Sequence, residues 1–109
     1  MGFDITVSRY DVGKCPHCGK PIKGDMIDHE DSGGYAWKDW LEKIGYYVPC
    51  EDRIPDNDWY GKDMTLTLEQ AKDLASFAEN ANVYHWDYIS ALVNDAIMDN
   101  SYVVINADW

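Results

Sequence analysis

Between residues 67 and 99, apolar residues recur at the spacing of two successive helices. Thr67 and Gln70 are spaced as a capping box, in which the hydroxyl accepts an early helix N–H and the amide reaches back. The first helix is predicted to run to about residue 81 on the periodic residues Leu68, Ala71, Leu74, Ala75, Ala78 and Ala81. Asp87 is a possible N-cap of the second helix. Its predicted buried face carries Ile89, Leu92, Val93, Ala96 and Ile97.

Two further patterns predict strands near the ends of the sequence. Apolar and polar residues alternate over 3–10 with the period of two of a half-buried strand. A β-branched strand is expected over 102–105, after the turn at 99–101. A helix that ends at Gly45 is predicted between them from the spacing of Trp37, Trp40, Leu41 and Ile44. Residues 13–34 and 49–63 are expected to be loops.

These elements predict an α+β fold, since the terminal strands can pair in one small sheet that about three helices cover. A chain of 109 residues suits a single domain, and no linker divides it. We therefore expect one domain over 1–109, with the helical pair at 67–99 and a zinc-knuckle-like loop within 13–50.

The charge limits the partners that such a domain can bind. The sequence has 9 Lys and Arg against 20 Asp and Glu, a net charge of −11. Direct binding to nucleic acid or to an anionic membrane is therefore not expected, because both need clustered basic residues. With 46% hydrophobic residues, the chain is also too apolar for a disordered acidic tail. A basic protein is the partner that this charge favours.

A cytoplasmic location is expected from the sequence. The first residues lack a basic segment followed by an apolar stretch, so no signal peptide is predicted. No apolar run reaches the roughly 18–20 residues of a membrane span. Three cysteines fit a reducing compartment better than a disulfide framework.

The most specific local motif is Cys15-Pro16-His17-Cys18-Gly19. Two thiolates separated by two residues can bind one metal ion, and the following glycine permits a tight turn. The motif resembles the knuckle of zinc ribbons, in which peptide N–H groups point at the sulfurs. This resemblance covers residues 15–21 and implies a metal site but no particular activity.

A tetrahedral zinc site needs ligands beyond this motif. Zinc ribbons supply a second Cys-x-x-Cys, whereas this chain has only Cys50 in addition. The predicted ligands are Cys15, Cys18, His29 and Cys50, with His17 and Asp28 as alternatives to His29. Such a closed site would hold zinc in a structural role. A redox-active pair and plain reduced thiols are the alternatives.

The acidic residues are concentrated in two stretches, which are the predicted partner-binding surfaces. The candidate residues are Asp25, Asp28, Glu30, Asp31, Glu51, Asp52, Asp56, Asp58, Trp59, Tyr60 and Asp63. Trp59, Tyr60 and Trp109 are candidate anchors, because interface hot spots favour Trp and Tyr. The alternative is that the acids only keep the protein in solution.

No enzymatic activity is expected. The run Asp28-His29-Glu30-Asp31 contains acid–base groups, but adjacent residues of a loop point in different directions. The sequence has neither a phosphate-binding glycine motif nor a His-Glu-x-x-His motif. His85 is interpreted as a packing or capping residue.

The overall layout resembles small phage and prophage proteins. The resemblance lies in an FDITV-type first strand, a capped TLEQAKDLA-type helix and a closing VVINADW strand. Acidic members of that group include anti-CRISPR and anti-restriction proteins, some of which are DNA mimics. The resemblance implies an inhibitor of a nucleic-acid-binding defence protein or nuclease in the host cytoplasm. The alternatives are an immunity protein against a basic nuclease toxin and a zinc-stabilised scaffold module.

Overall fold

The computed structural model describes residues 3–47 and 61–108. The elements in chain order are β1 (Asp4–Lys14), β2 (Pro21–Gly33), α1 (Trp37–Lys43), β3 (Met64–Thr65), α2 (Leu68–Ala81), α3 (Trp86–Asp99) and β4 (Tyr102–Asp108). Within these ranges, no helix has both the length and the apolar character needed to cross a membrane.

The four strands form one antiparallel sheet in the order β2-β1-β4-β3. β1 lies beside β4, with Asp4 opposite Asp108 and Val7 opposite Ile105. The predicted pairing of the terminal strands is therefore confirmed, as is the α+β class with three helices.

The prediction of a loop over 13–34 is wrong for most of its length. β1 continues to Lys14, and residues Pro21–Gly33 form β2, so the described turn between them covers only residues 15–20. Most side chains of β2 are exposed, on both of its faces. The strand therefore has no alternation of apolar and polar residues that would reveal it, and it is held by its backbone pairing with β1.

The core lies between one face of the sheet and the helices. Ile5 and Val7 of β1 point into it, together with Ile105 of β4. The helices contribute mainly Trp37, Trp40, Leu41, Ala71, Leu74, Ala78, Ile89, Leu92, Val93 and Ala96. The apolar faces predicted for α1 and α3 are therefore confirmed, with Ile44 and Ile97 partly buried at their margins.

The two long helices begin in different ways. α2 has the predicted capping box: Gln70 N–H donates to the Thr67 hydroxyl at 3.1 Å, and Thr67 N–H donates to the Gln70 side chain at 2.9 Å. Asp87 is not the N-cap of α3, because the helix begins at Trp86, after His85 in the left-handed conformation with φ 60°. Asp87 lies in the first turn instead, where its negative charge complements the helix dipole.

A buried tyrosine joins the chain beyond α1 to the end of β4. The Tyr46 hydroxyl donates to the Lys62 carbonyl at 2.6 Å and accepts from Ala107 N–H at 2.8 Å. Burial raises the pKa of Tyr46, so the phenol stays protonated and able to donate at neutral pH.

We predict that Tyr46→Phe destabilises the fold by about 1–3 kcal/mol, because the buried Ala107 N–H loses its acceptor. Urea unfolding measures the difference. Tyr84→Phe is the matched control, since the Tyr84 side chain is 66% exposed. Equal stability of the two variants would contradict the prediction.

A second polar contact joins α1 to α2. The Asp73 carboxylate accepts from Lys43 Nζ and from Trp40 Nε1, each at 2.9 Å. The bond from Lys43, followed by that from Trp40, lowers the pKa of Asp73 below its ordinary value. The folded pKa therefore lies below the unfolded one. The resulting stabilisation is present above the unfolded pKa and is lost as the pH falls through the folded pKa.

Asp73→Asn is expected to lower the free energy of unfolding at pH 7 by about 0.5–1 kcal/mol, a small effect because the pair is partly exposed. The variant should also lose less stability than the parent between about pH 5 and pH 2. Urea unfolding across this pH range tests both expectations, with Asp95→Asn on α3 as the control. Parallel stability curves for parent and Asp73→Asn would refute the assignment.

Candidate functional site

The cysteine turn, residues 15–20, closes the hairpin of β1 and β2. Cys15 N–H donates to the Lys20 carbonyl at 2.9 Å, and Gly19 N–H donates to the Cys15 carbonyl at 2.8 Å. Gly19 has a φ of 71°, a conformation that glycine adopts without steric cost. The turn therefore holds Cys15 and Cys18 together on one tight loop.

The cysteine turn lowers the pKa of the Cys15 thiol, through hydrogen bonding from the backbone of His17, followed by the backbone and the side chain of Cys18. Cys15 is half-buried and Cys18 is exposed. Hydrogen bonds to a sulfur favour its thiolate form, which is the form that binds metals.

The other predicted zinc ligands are not brought to these thiols in the described structure. His29 lies opposite Ser8, and Asp28 lies opposite Arg9. At about 3.3 Å per residue, His29 is therefore roughly 25 Å along β2 from Pro21, where the cysteine turn ends. Cys50 lies outside the described residues. Over residues 3–47 and 61–108, no three His, Cys, Asp or Glu side chains form a group that could hold a metal ion. Zinc binding therefore stays a prediction.

A second feature is an exposed set of carboxylates on the sheet face opposite the core. Because Ile5 and Val7 point into the core, Asp4 and Thr6 point to the other face. The strand register places Asp108 opposite Asp4 and Asp31 opposite Thr6. Asn106 of β4 also faces this way and donates to Asp63 at 2.9 Å. We call the carboxylates of Asp4, Asp31, Asp63 and Asp108 the acidic face.

The acidic face encloses a shallow concavity of about 280 Å³, whose polar lining includes Asp4, Asp31 and Asp108. The Thr6 hydroxyl donates to Asp31 at 2.8 Å and so fixes one carboxylate. In the described parts of the chain, no Lys or Arg forms an ion pair with any member of the acidic face. Its negative charge is therefore directed at solvent.

This arrangement has an energetic cost. Directly opposed residues on antiparallel strands have Cβ atoms about 4.5–5.5 Å apart, and like charges at such positions destabilise the sheet. Asp4 and Asp108 form such a pair at the β1–β4 junction. A cationic group placed between them would relieve the repulsion, so the acidic face is suited to bind positive charge.

The predicted partner-binding residues are only partly brought together. Asp31 and Asp63 belong to the acidic face, whereas Asp28 and Glu30 alternate to the other face of β2. Asp25 is exposed further along the strand. The remaining candidates lie outside the described residues: Glu51, Asp52, Asp56, Asp58, Trp59, Tyr60 and the anchor Trp109.

Sequence reasoning missed Asp4 and Asp108. Each is an isolated acid near one end of the chain, and neither belongs to an acid-rich stretch. The sequence could have indicated them through their outward positions on two terminal strands that are predicted to pair. Only the register shows that the two carboxylates are opposite each other.

Comparison with protein-family models, curated proteins and solved structures returned no match.

We predict that Asp4→Asn raises the free energy of unfolding by about 0.2–1 kcal/mol at low salt, since it removes the repulsion with Asp108. The gain should shrink at about 1 M NaCl, where charges are screened within roughly 3 Å. Urea unfolding at the two salt concentrations measures it, and Asp95→Asn controls for the change in net charge. An unchanged or lower stability at low salt would show that the two carboxylates do not repel each other.

Proposed function

We propose that this chain is a small acidic binding protein that docks on the basic, nucleic-acid-binding surface of a partner protein and blocks it. The observation that supports this function is the acidic face. Its carboxylates are exposed, form no ion pair with a described basic residue, and include the opposed Asp4 and Asp108. The function is binding without catalysis.

The spacing of the carboxylates supports docking on a surface of lysine and arginine side chains. Opposed residues are about 5 Å apart, and diagonal neighbours on adjacent strands are about 7–8 Å apart. A sheet thus presents negative charges at repeated short intervals, as a nucleic-acid backbone does. Its long-range field also accelerates the encounter with a basic partner.

The biological setting that we propose follows from the resemblance to small phage proteins. The partner would be a host defence protein or nuclease in the cytoplasm, and the chain would act as an anti-CRISPR or anti-restriction inhibitor. An immunity protein that neutralises a basic nuclease toxin would use the same surface in the same way.

A second candidate function is a zinc-stabilised scaffold module. The cysteine turn favours it, because it places Cys15 and Cys18 on one tight loop. The exposed acidic face has no role in that function, so we place the inhibitor first.

Capture from a nuclease-treated bacterial lysate at low salt tests the proposal. The tagged parent chain should retain a nucleic-acid-binding protein, and added duplex DNA should compete for that protein. A triple variant with Asp4, Asp31 and Asp108 changed to Asn should bind it about tenfold more weakly, because three charge contacts are lost. Binding of the purified pair can be measured by calorimetry.

The matched control changes Glu79 to Gln and Asp87 and Asp95 to Asn, which are exposed acids of α2 and α3. It alters the net charge by the same amount but leaves the acidic face intact, and it should bind as the parent does. If both triple variants lost the same binding affinity, the loss would be an effect of net charge and not of the acidic face. Capture of no nucleic-acid-binding protein, or no competition by DNA, would overturn the proposal.

A further inference from the structure

The hairpin of β1 and β2 extends beyond the rest of the sheet. β1 pairs with β4 only as far as Tyr10 opposite Tyr102, whereas its pairing with β2 continues to Lys14 opposite Pro21. Residues 11–25 therefore form a two-stranded arm, with the cysteine turn at its tip. The molecule is elongated, with extents of 42 × 33 × 21 Å.

The tip carries half of a tetrahedral metal site. Cys15 and Cys18 lie on one turn, and Cys18 is exposed. No third His, Cys, Asp or Glu in the described ranges is grouped with them to hold a metal ion. Structural zinc requires four protein ligands, so this pair needs two more from elsewhere.

The described residues nearest to Cys50 in sequence lie at the Asp4 end of β1, opposite to the arm tip. Before the gap, the Tyr47 ring packs on the Phe3 ring with centroids 5.1 Å apart. After the gap, Gly61 N–H donates to the Ala107 carbonyl at 2.8 Å, beside the Asp4 end of β1. The arm tip is at the Lys14 end. The described residues on either side of Cys50 therefore lie at the end of β1 opposite to the thiol pair.

The charge of the arm suits contact with a second copy of this chain. Lys14, Lys20 and Lys23 lie in the arm, and its two acids, Asp11 and Asp25, are at its base, away from the tip. A zinc ion with four thiolates has a net charge of −2, which these lysines can balance. Contact through the tips also keeps two acidic bodies apart, beyond the roughly 8 Å over which charges interact at physiological salt.

The arm also exposes apolar side chains near its tip. Val12 is 37% exposed and Ile22 is 44% exposed, and Ile22 lies one register position from the end of the ladder. A second arm packed against these side chains would remove them from water. This burial would stabilise the dimer in addition to the metal–sulfur bonds.

We propose that Cys15 and Cys18 of two copies together bind one zinc ion, which joins the two chains tip to tip. The hydrogen bonds of the cysteine turn hold each pair of sulfurs in place before the metal arrives. This site is independent of the proposed inhibitor function, since it uses neither the acidic face nor a partner protein.

Zinc chloride titrated into the reduced chain tests the proposal without any variant. We expect binding to saturate at about one zinc per two chains. Light scattering after gel filtration should show the mass doubling with zinc and returning to that of the single chain with EDTA. Cobalt(II) in place of zinc should give the intense sulfur-to-metal absorption of a four-thiolate site.

Two cysteine variants locate the ligands. Cys18→Ser should lose both zinc binding and mass doubling, with an unchanged circular dichroism spectrum and melting temperature, because Cys18 is exposed at the tip. Cys50→Ser is the matched control and should keep both. His29→Ala should also keep both, because His29 lies far along β2 from the turn.

Several outcomes would overturn the proposal. These are one zinc per monomer, a doubled mass that persists in Cys18→Ser, loss of zinc in Cys50→Ser, and no zinc binding by the reduced chain. The triple variant of the acidic face should still dimerise with zinc, and Cys18→Ser should still capture a basic partner. The two proposals can therefore fail separately.

Discussion

The antiparallel pairing of β1 with β4 is the interaction on which the rest of the structure depends. It joins residues from the two ends of the sequence and sets which side chains share a face. Ile5, Val7 and Ile105 then lie together under the helices, and Asp4 and Asp108 of the same two strands are turned to solvent. A slip of β1 by one residue against β4 would turn Asp4 towards the core and Ile5 and Val7 towards solvent. The same register therefore produces the core and the acidic face.

Much of the fold could be predicted because burial leaves a period in the sequence. α2 has its predicted bounds, since the capping box at Thr67 marks its start and the apolar period extends to about residue 81. β2 was missed because nearly all its side chains are exposed, so no period marks it. The start of α3 was misplaced because His85 begins the helix through its backbone conformation and not through a side-chain cap.

The candidate sites were predictable to different degrees, because one is local in the sequence and the other is assembled from distant residues. The cysteine turn is local, so the spacing of Cys15 and Cys18 was enough to find it. The acidic face is assembled from residues far apart in the chain, and only the strand register brings Asp31 and Asp108 onto one surface. Counting acids along the sequence instead grouped Asp28 and Glu30 with Asp31, which strand alternation separates.

The net charge of −11 conceals a separation of charge along β1. This strand has Asp4 of the acidic face at one end, and its other end lies in the lysine-bearing arm, close to the cysteine turn. Because the two features lie at opposite ends, zinc at the arm tip would leave both acidic faces of a dimer free. Two faces held by one metal ion would bind a partner with repeated basic surfaces more tightly than one face, since the second contact becomes intramolecular. The two proposed sites are thus compatible, because the long hairpin separates the cysteine turn from the acidic face.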